Sequence, residues 1–145
     1  MADYDLAVNS LRRCALFAHV DDAGLRVLAG LMRPRRFRRN EVIFHQQDVG
    51  DSLHIVVDGG VKIVLPSQEG EEAIIASLKP GDFFGELALI EEHPRSATVT
   101  ASTDTDCLLF PAWEFTALLE EHPEVALPIL RVLIQRLHRS EHHGA

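Results

Sequence analysis

A chain of 145 residues is the size of one ordinary domain and is long enough to bury a hydrophobic core. With 46% hydrophobic and 25% charged residues, its composition is globular, which excludes a disordered chain. A formal net charge of -8 repels nucleic-acid phosphates, so no DNA binding is expected of this chain alone.

The opening segment "MADYDLAVNS" is acidic and polar, without the basic and then apolar order of a signal peptide. No apolar run reaches the length of a membrane span. Cys14 and Cys107 make neither a disulfide framework nor a CxxC metal site, and they suit a reducing compartment. A cytoplasmic protein without a membrane partner is the expectation.

Residues 1–32 carry helical spacing. Leu6, Leu11, Ala15 and Leu16 belong to one segment and Leu25, Leu28 and Leu31 to the next, with Asp21 or Asp22 as N-cap. From residue 33 to 110 the pattern changes to short strands: "RFRRNEVIFHQ", "SLHIVVDGGVKIVLP", "EEAIIASL" and "SATVTASTDTDCLLF". Gly50-Asp51, Asp58-Gly59-Gly60, Gln68-Glu69-Gly70 and Lys79-Pro80-Gly81-Asp82 punctuate them. Many short strands with close turns predict a sandwich, a barrel or a jelly roll. "RPRRFRR", residues 33–39, is the one dense basic cluster. Read as a strand, it puts Arg35, Phe37 and Arg39 on one side and Arg36 and Arg38 on the other, a solvated edge.

"FGELALIEEHPRSATV", residues 84–99, interrupts the strand zone. "ELALI" predicts a helix too short to stand alone. Such a helix offers unpaired backbone N–H groups to an anion, and Gly85 before it permits close approach. Arg95 adds a planar, permanently charged fork that fits two phosphate oxygens. Glu86 beside a phosphate is repulsive unless it accepts a hydrogen bond from a ligand hydroxyl. A ribose 3′,5′-cyclic phosphate, with only its 2′-hydroxyl free, satisfies both groups.

Phe84-Gly85-Glu86-Leu87-Ala88-Leu89-Ile90, followed by Pro94-Arg95-Ser96-Ala97-Thr98-Val99, closely resembles the phosphate-binding cassette of cyclic-nucleotide-binding domains. The members it is similar to are the catabolite activator-type bacterial regulators and the regulatory subunits of cyclic-AMP-dependent kinase. "EVIFHQQDVGDSLHIVVDGGVKI" and "LKPGDFFGE" extend the resemblance over nearly the whole chain. The resemblance implies a mainly β fold with flanking helices: a jelly-roll barrel over 33–110, N-terminal helices over 1–32 and C-terminal helices over 111–145. It implies that Glu86 accepts the ribose 2′-hydroxyl, Arg95 grips the cyclic phosphate, and Gly85, Leu87 and Ala88 supply backbone contacts. Ser96 would bond a phosphate oxygen or reach the base, with Ile63 and Ile75 as apolar walls. Ser96 after the arginine resembles the group responsive to cyclic AMP (cAMP), while cyclic GMP (cGMP) is the alternative ligand. Relatives usually have Gly at the positions of Asn40 and Gln47 and Tyr at that of His54. Gln47 adopts left-handed backbone poorly, which predicts a reshaped loop there.

An enzyme is not expected. His138 and His142 share a helical spacing beside His143, but without a partner at ligand spacing. His45, His54 and His93 are scattered, and no HxH pair followed by Glu supports a cupin-like metalloenzyme. Neither a metal nor a resident cofactor is expected.

The last segment begins at Pro123, which suits a first helical turn, and Pro128 predicts a bend. Its apolar residues cover more than one stripe. Ala126, Leu130, Leu133 and Leu137 have a heptad-like spacing that fits a seam with a second copy, the alternative being one broad contact on the same domain. In the resembling bacterial regulators this helix forms the dimer interface and its end reaches the base, which points to Arg139 and Ser140. The mechanism implied is a homodimeric switch in signal transduction, with ligand on the cassette biasing the terminal helix. Either a free-standing sensor or the sensory part of a longer transcription regulator fits. A dimerising scaffold of the same fold without ligand is the alternative function.

Overall fold

Asp21 has extended backbone, and its Oδ1 accepts a hydrogen bond from the Gly24 amide at 2.8 Å, which starts a helix at the predicted place. The structure, a computed structural model, describes residues 2–144, and side chains over 5–138. The helix capped by Asp21 is α2 (Asp22–Leu31), preceded by α1 (Ala2–Arg12) and a 3-10 turn, Ala15–Phe17. Leu11, Leu16, Leu25 and Leu28 are buried as predicted, whereas Leu6 and Ala15 face outward.

The strands are β1 (Arg33–Phe37), β2 (Val42–Phe44), β3 (Val49–Gly50), β4 (Ser52–Asp58), β5 (Val61–Pro66), β6 (Glu72–Leu78), β7 (Phe83–Phe84), β8 (His93–Pro94), β9 (Thr98–Ala101) and β10 (Thr105–Pro111). They form two antiparallel sheets, ordered β1-β10-β4-β7 and β2-β9-β5-β6, with β3-β8 as a separate pair. This is the jelly-roll fold expected from the sequence. After it come α3 (Ala112–Glu121) and α4 (Pro123–Gly144), with His122 capping α3 through a 2.7 Å bond to the Leu118 carbonyl.

The unbroken burial of Ser52 to Val56 reflects a strand covered on both faces. Leu53 and Ile55 of β4 join Leu108 and Phe110 of β10 in a core shared with the helices, including Leu28, Phe115, Leu118, Ile129 and Leu133. The alternate residue Val56 joins Phe37, Val61, Phe84, Val99 and Cys107 inside the barrel. A two-residue period thus separates two cores. Each large buried side chain contributes about 1.5–3 kcal/mol. Cys14 and Cys107 are free and buried, and desolvation pushes their thiols up to about 11 and about 12, so both are inert core residues.

The basic cluster only partly follows its expected parity. β1 ends at Phe37, and Arg38, Arg39 and Asn40 turn away, Asn40 with φ 69. Arg36 meets Asp104 at 3.8 Å and Asp106 at 3.3 Å, and Arg33 lies 5.3 Å over the Trp113 ring. It is a solvated edge balanced by carboxylates.

The terminal helix corrects the predicted seam. α4 runs through Pro128, but Ala126 (0% exposed) and Leu133 (2%) are committed to the domain's own core. Leu127, Leu130, Ile134 and Leu137 form the outward stripe instead, spaced 3-4-3, with Leu130 half-buried and the others exposed. The broad contact on the same domain holds for the Ala126 and Leu133 face, and the outward stripe is left open to solvent. Among the described residues, no helix is long and apolar enough to cross a membrane.

Candidate functional site

β7 delivers the chain to Gly85, whose backbone is left-handed (φ 79, ψ 22). The predicted short helix after it is a single 3-10 turn, Glu86–Leu89, rather than a turn of α-helix. Ala88 N–H donates to the Gly85 carbonyl at 3.2 Å, which leaves the Glu86 and Leu87 amides without partners inside the turn. Ala88 and Leu89 are buried and pin the turn, while Gly85, Glu86 and Leu87 remain half-buried.

Arg95 follows β8, and its backbone is clamped on both sides. Its N–H donates to the Asp48 carbonyl at 2.7 Å, and its carbonyl accepts from Gln47 N–H at 2.8 Å. Gln47 itself takes the left-handed conformation, φ 78, so the expected rebuilding of this loop is not how the missing glycine is accommodated. The strain is of the order of 1–2 kcal/mol and is held in place by the hydrogen bond to Arg95.

The Arg95 side chain is only 7% exposed. Nη2 donates to the Ser52 carbonyl at 2.8 Å, Nη1 donates to the Gly85 carbonyl at 3.4 Å, and Cζ lies 4.0 Å over the Phe44 ring. A guanidinium has five N–H groups; these bonds use two, and the other three have no protein acceptor among the described residues. Nor does any carboxylate of a described residue come within 4.0 Å of it. Burial lowers its proton affinity, and Asp51, Asp48 and Glu86 oppose this from longer range. Glu86 and Arg95 are therefore not an ion pair.

The slot that admits Arg95 is walled by two glycines. A Cβ on Gly85 would overlap Nη1 of Arg95 and stand 3.1 Å from the Ser52 carbonyl oxygen. A Cβ on Gly50 would stand 3.0 Å from both Cζ and Nη1. Beneath the cation, Phe44 is bracketed by His54 (ring centroids 5.7 Å apart) and Phe84 (5.8 Å). His54 is 5% exposed, its Nδ1 has no hydrogen-bond partner among the described residues, and desolvation, then Arg95 and Arg35, push its pKa down to about 3. It is a neutral imidazole.

Beside this slot opens a cavity of about 470 Å³, within the range of small-molecule sites. Gly85, Glu86, Leu87, Ala88, Arg95, Ser96, Ile63 and Ile75 all line it, so every predicted contact whose side chain is described meets at one place. The side chains of Arg139 and Ser140, like those of His142 and His143, lie outside the described residues. The sequence reading missed Phe44, Gly50 and Arg136. Phe44 stood only as one residue of a strand-like segment and Gly50 as a turn marker. Arg136 lines the cavity from α4 with its Cζ 4.3 Å over the Phe83 ring. Its signal was one arginine between Gln135 and Leu137 in the largely apolar "VLIQRL". A smaller cavity of about 220 Å³ lies between the 3-10 turn and α4, lined by Glu86, Leu87, Ile90, Leu133, Arg136 and Leu137.

Fold and site together define a small-molecule-binding barrel with a cationic anchor in its wall. Residues 34–122 match the family model described as the cyclic nucleotide-binding domain, and the chain belongs to that family. Its relatives include regulators as well as lysophospholipases, of which the match covers only 6% of the length. The chain is 29% identical over 135 residues to the CRP-like cAMP-activated global transcriptional regulator of Mycobacterium tuberculosis, covering 93% of this chain and 60% of the relative. It is 33% identical over 111 residues to the cAMP-dependent protein kinase regulatory subunit of Dictyostelium discoideum, covering 74% of this chain and 34% of that one. Among solved structures, the N-terminal domain of a transcriptional regulator from Streptomyces coelicolor A3(2) superposes with a TM-score of 0.85 at 34% identity, covering 94% of this chain and 95% of that chain. The chain thus spans about 60% of the length of the curated regulator it matches.

Proposed function

We propose that this domain is a cyclic AMP sensor in which Arg95 and Glu86 hold the cyclic ribose phosphate between them. The observation that carries this is the buried Arg95 guanidinium, which has backbone carbonyls and an aromatic face around it but, among the described residues, no carboxylate within 4.0 Å. A buried cation without a counter-ion is costly, and a ligand phosphate supplies the missing charge. Glu86, on the same cavity wall, accepts the 2′-hydroxyl. The Glu86 and Leu87 amides face no partner inside their turn and add donors near the phosphate, with Ser96 beside them. Ile63 and Ile75 form the apolar wall for the base, and Arg136 closes the cavity from α4. The names of the relatives, cAMP-activated and cAMP-dependent, support cyclic AMP over cyclic GMP.

The signal leaves through α4. Glu86, Leu87 and Arg136 line both cavities, so ligand on the 3-10 turn changes what α4 rests on. The outward stripe Leu127, Leu130, Ile134 and Leu137 is the homodimer seam, and the bias is passed to a longer regulator or an associated effector. Calorimetric titration of the chain with cyclic AMP, cyclic GMP and 5′-AMP tests the reading. Saturable binding of cyclic AMP, with 5′-AMP much weaker, is the expected result. A folded protein that binds neither cyclic nucleotide overturns it.

A further inference from the structure

We infer that Phe44 and His54 are positioning residues for the anion anchor: the Phe44 ring is the surface on which the Arg95 guanidinium rests, and His54 fixes that ring. Arg95 has hydrogen-bonding partners only at one rim, the Ser52 and Gly85 carbonyls. Two bonds at one rim leave rotation of the side chain out of that plane unopposed. The Phe44 face, 4.0 Å from Cζ, opposes it, and its quadrupole attracts the cation.

Phe44 comes from the β2 sheet and is half-buried, so something must hold its ring at the right tilt. His54 and Phe84 do this from the other sheet. Their rings are nearly parallel, with centroids 4.9 Å apart and planes 15° apart, and His54 meets Phe44 edge-on at 66°. Phe37 closes the far side of His54 at 6.4 Å. A polar ring whose Nδ1 has no hydrogen-bond partner among the described residues is an expensive filler for an apolar core. Its placement fits a flat, narrow ring that stacks on Phe84 and sets its edge against Phe44, so that the three rings brace one another as a triangle. The imidazole has to be uncharged for this, because a second cation would stand beside Arg95.

The affinity half of the test rests on the cyclic AMP reading above; the spectroscopic half does not. In the ligand-free full chain, the Phe44 ring current shifts the Arg95 Nε–H proton resonance upfield, with Arg95→Lys assigning it. Phe44→Leu, which keeps an apolar side chain but has no aromatic face, returns that resonance to an ordinary position. Phe44→Tyr keeps the shift. His54→Ala moves the resonance, and His54→Phe restores it. Against cyclic AMP, Phe44→Leu raises Kd about tenfold, while Phe44→Tyr stays within about twofold of wild type. An Arg95 resonance at its ordinary position in the wild-type protein overturns the inference even if no variant folds. So does a folded Phe44→Leu with wild-type Kd. If the wild-type chain binds no cyclic nucleotide but shows the shifted resonance, the ligand assignment fails and the aromatic floor stands.

Discussion

Gly85 and Arg95 share one slot: a Cβ on Gly85 would collide with Nη1 and lie 3.3 Å from Cζ of the guanidinium. The left-handed backbone at Gly85 adds strain of about 1–2 kcal/mol for any L side chain. Gly85→Ala therefore expels the anchor from its seat and lowers cyclic AMP affinity by at least about a hundredfold, or roughly 2.7 kcal/mol. Gly50→Ala makes contacts of 3.0 Å with Arg95 and with the His93 carbonyl, without a positive φ, so its loss is smaller. Calorimetry on the two variants checks the order. Equal losses would show that crowding alone, not backbone strain, governs the slot.

Arg95→Met separates stability from binding. The guanidinium is buried without a counter-ion, so an apolar side chain of similar length removes a desolvation cost. The free protein is expected to gain on the order of 1 kcal/mol, while cyclic AMP affinity falls by about 2–5 kcal/mol. Denaturant unfolding of ligand-free wild type and variant reads the first number. A variant clearly less stable than wild type would mean that the two carbonyl hydrogen bonds outweigh burial of the charge.

His54 makes the fold sensitive to acid. Its folded pKa is down at about 3, with burial as the main cause and the Arg95 and Arg35 charges adding to it, against about 6.5 in the unfolded chain. Below 6.5 the unfolded state binds a proton that the folded state refuses, so stability falls as pH drops from there toward 3. From pH 7 to 5 the loss is about 2 kcal/mol. His54→Phe removes this slope. At pH 7 it also relieves the unpaired Nδ1, a gain of about 1 kcal/mol. Unfolding curves at pH 7 and pH 5 test both. Parallel losses in wild type and His54→Phe would place the acid sensitivity elsewhere.

These features were unequally visible in the sequence. The cassette was legible because Gly85, Glu86 and Arg95 are unusual where they stand: a glycine before an apolar turn, and two charges in a greasy stretch. The strands were legible from their turns, whereas only packing shows that β4 serves two cores. The floor of the site was not. Phe44 has the same alternating, aromatic character whether it packs against a core or under a cation. Gly50 looked like turn punctuation, because clearance for a side chain 45 residues away (Arg95) leaves no local mark. The expected seam fell partly on a buried face because α4 is apolar on two faces, and only packing shows which one the barrel takes.

Glu86 is expected to act on one ligand atom. Glu86→Ala should weaken cyclic AMP by about 1.5–3 kcal/mol, the range for a hydrogen bond to a charged group. Against 2′-deoxy cyclic AMP the same substitution should cost little, because the hydroxyl it served is gone. Glu86→Gln should fall between, since an amide oxygen still accepts. The pairing is measured as the non-additive part of the protein–ligand double cycle. Additive losses would detach Glu86 from the 2′-hydroxyl.

Leu133 and Ile134 are adjacent in α4 and have opposite fates, 2% and 61% exposed. Leu133→Ala empties a fully packed site and should cost about 2–5 kcal/mol of folding stability. Ile134→Ser, on the open stripe with Leu127 and Leu137, should change the stability of a monomer by no more than about 0.5 kcal/mol. If that stripe is the seam, Ile134→Ser converts a dimer to monomer in sedimentation equilibrium without unfolding it. Leu133→Ala loosens assembly only in proportion to the fraction unfolded. A dimer that survives Ile134→Ser would place the interface off α4. The smaller cavity next to Leu137 would then link the 3-10 turn to α4 within one chain, with no second copy needed to complete the switch.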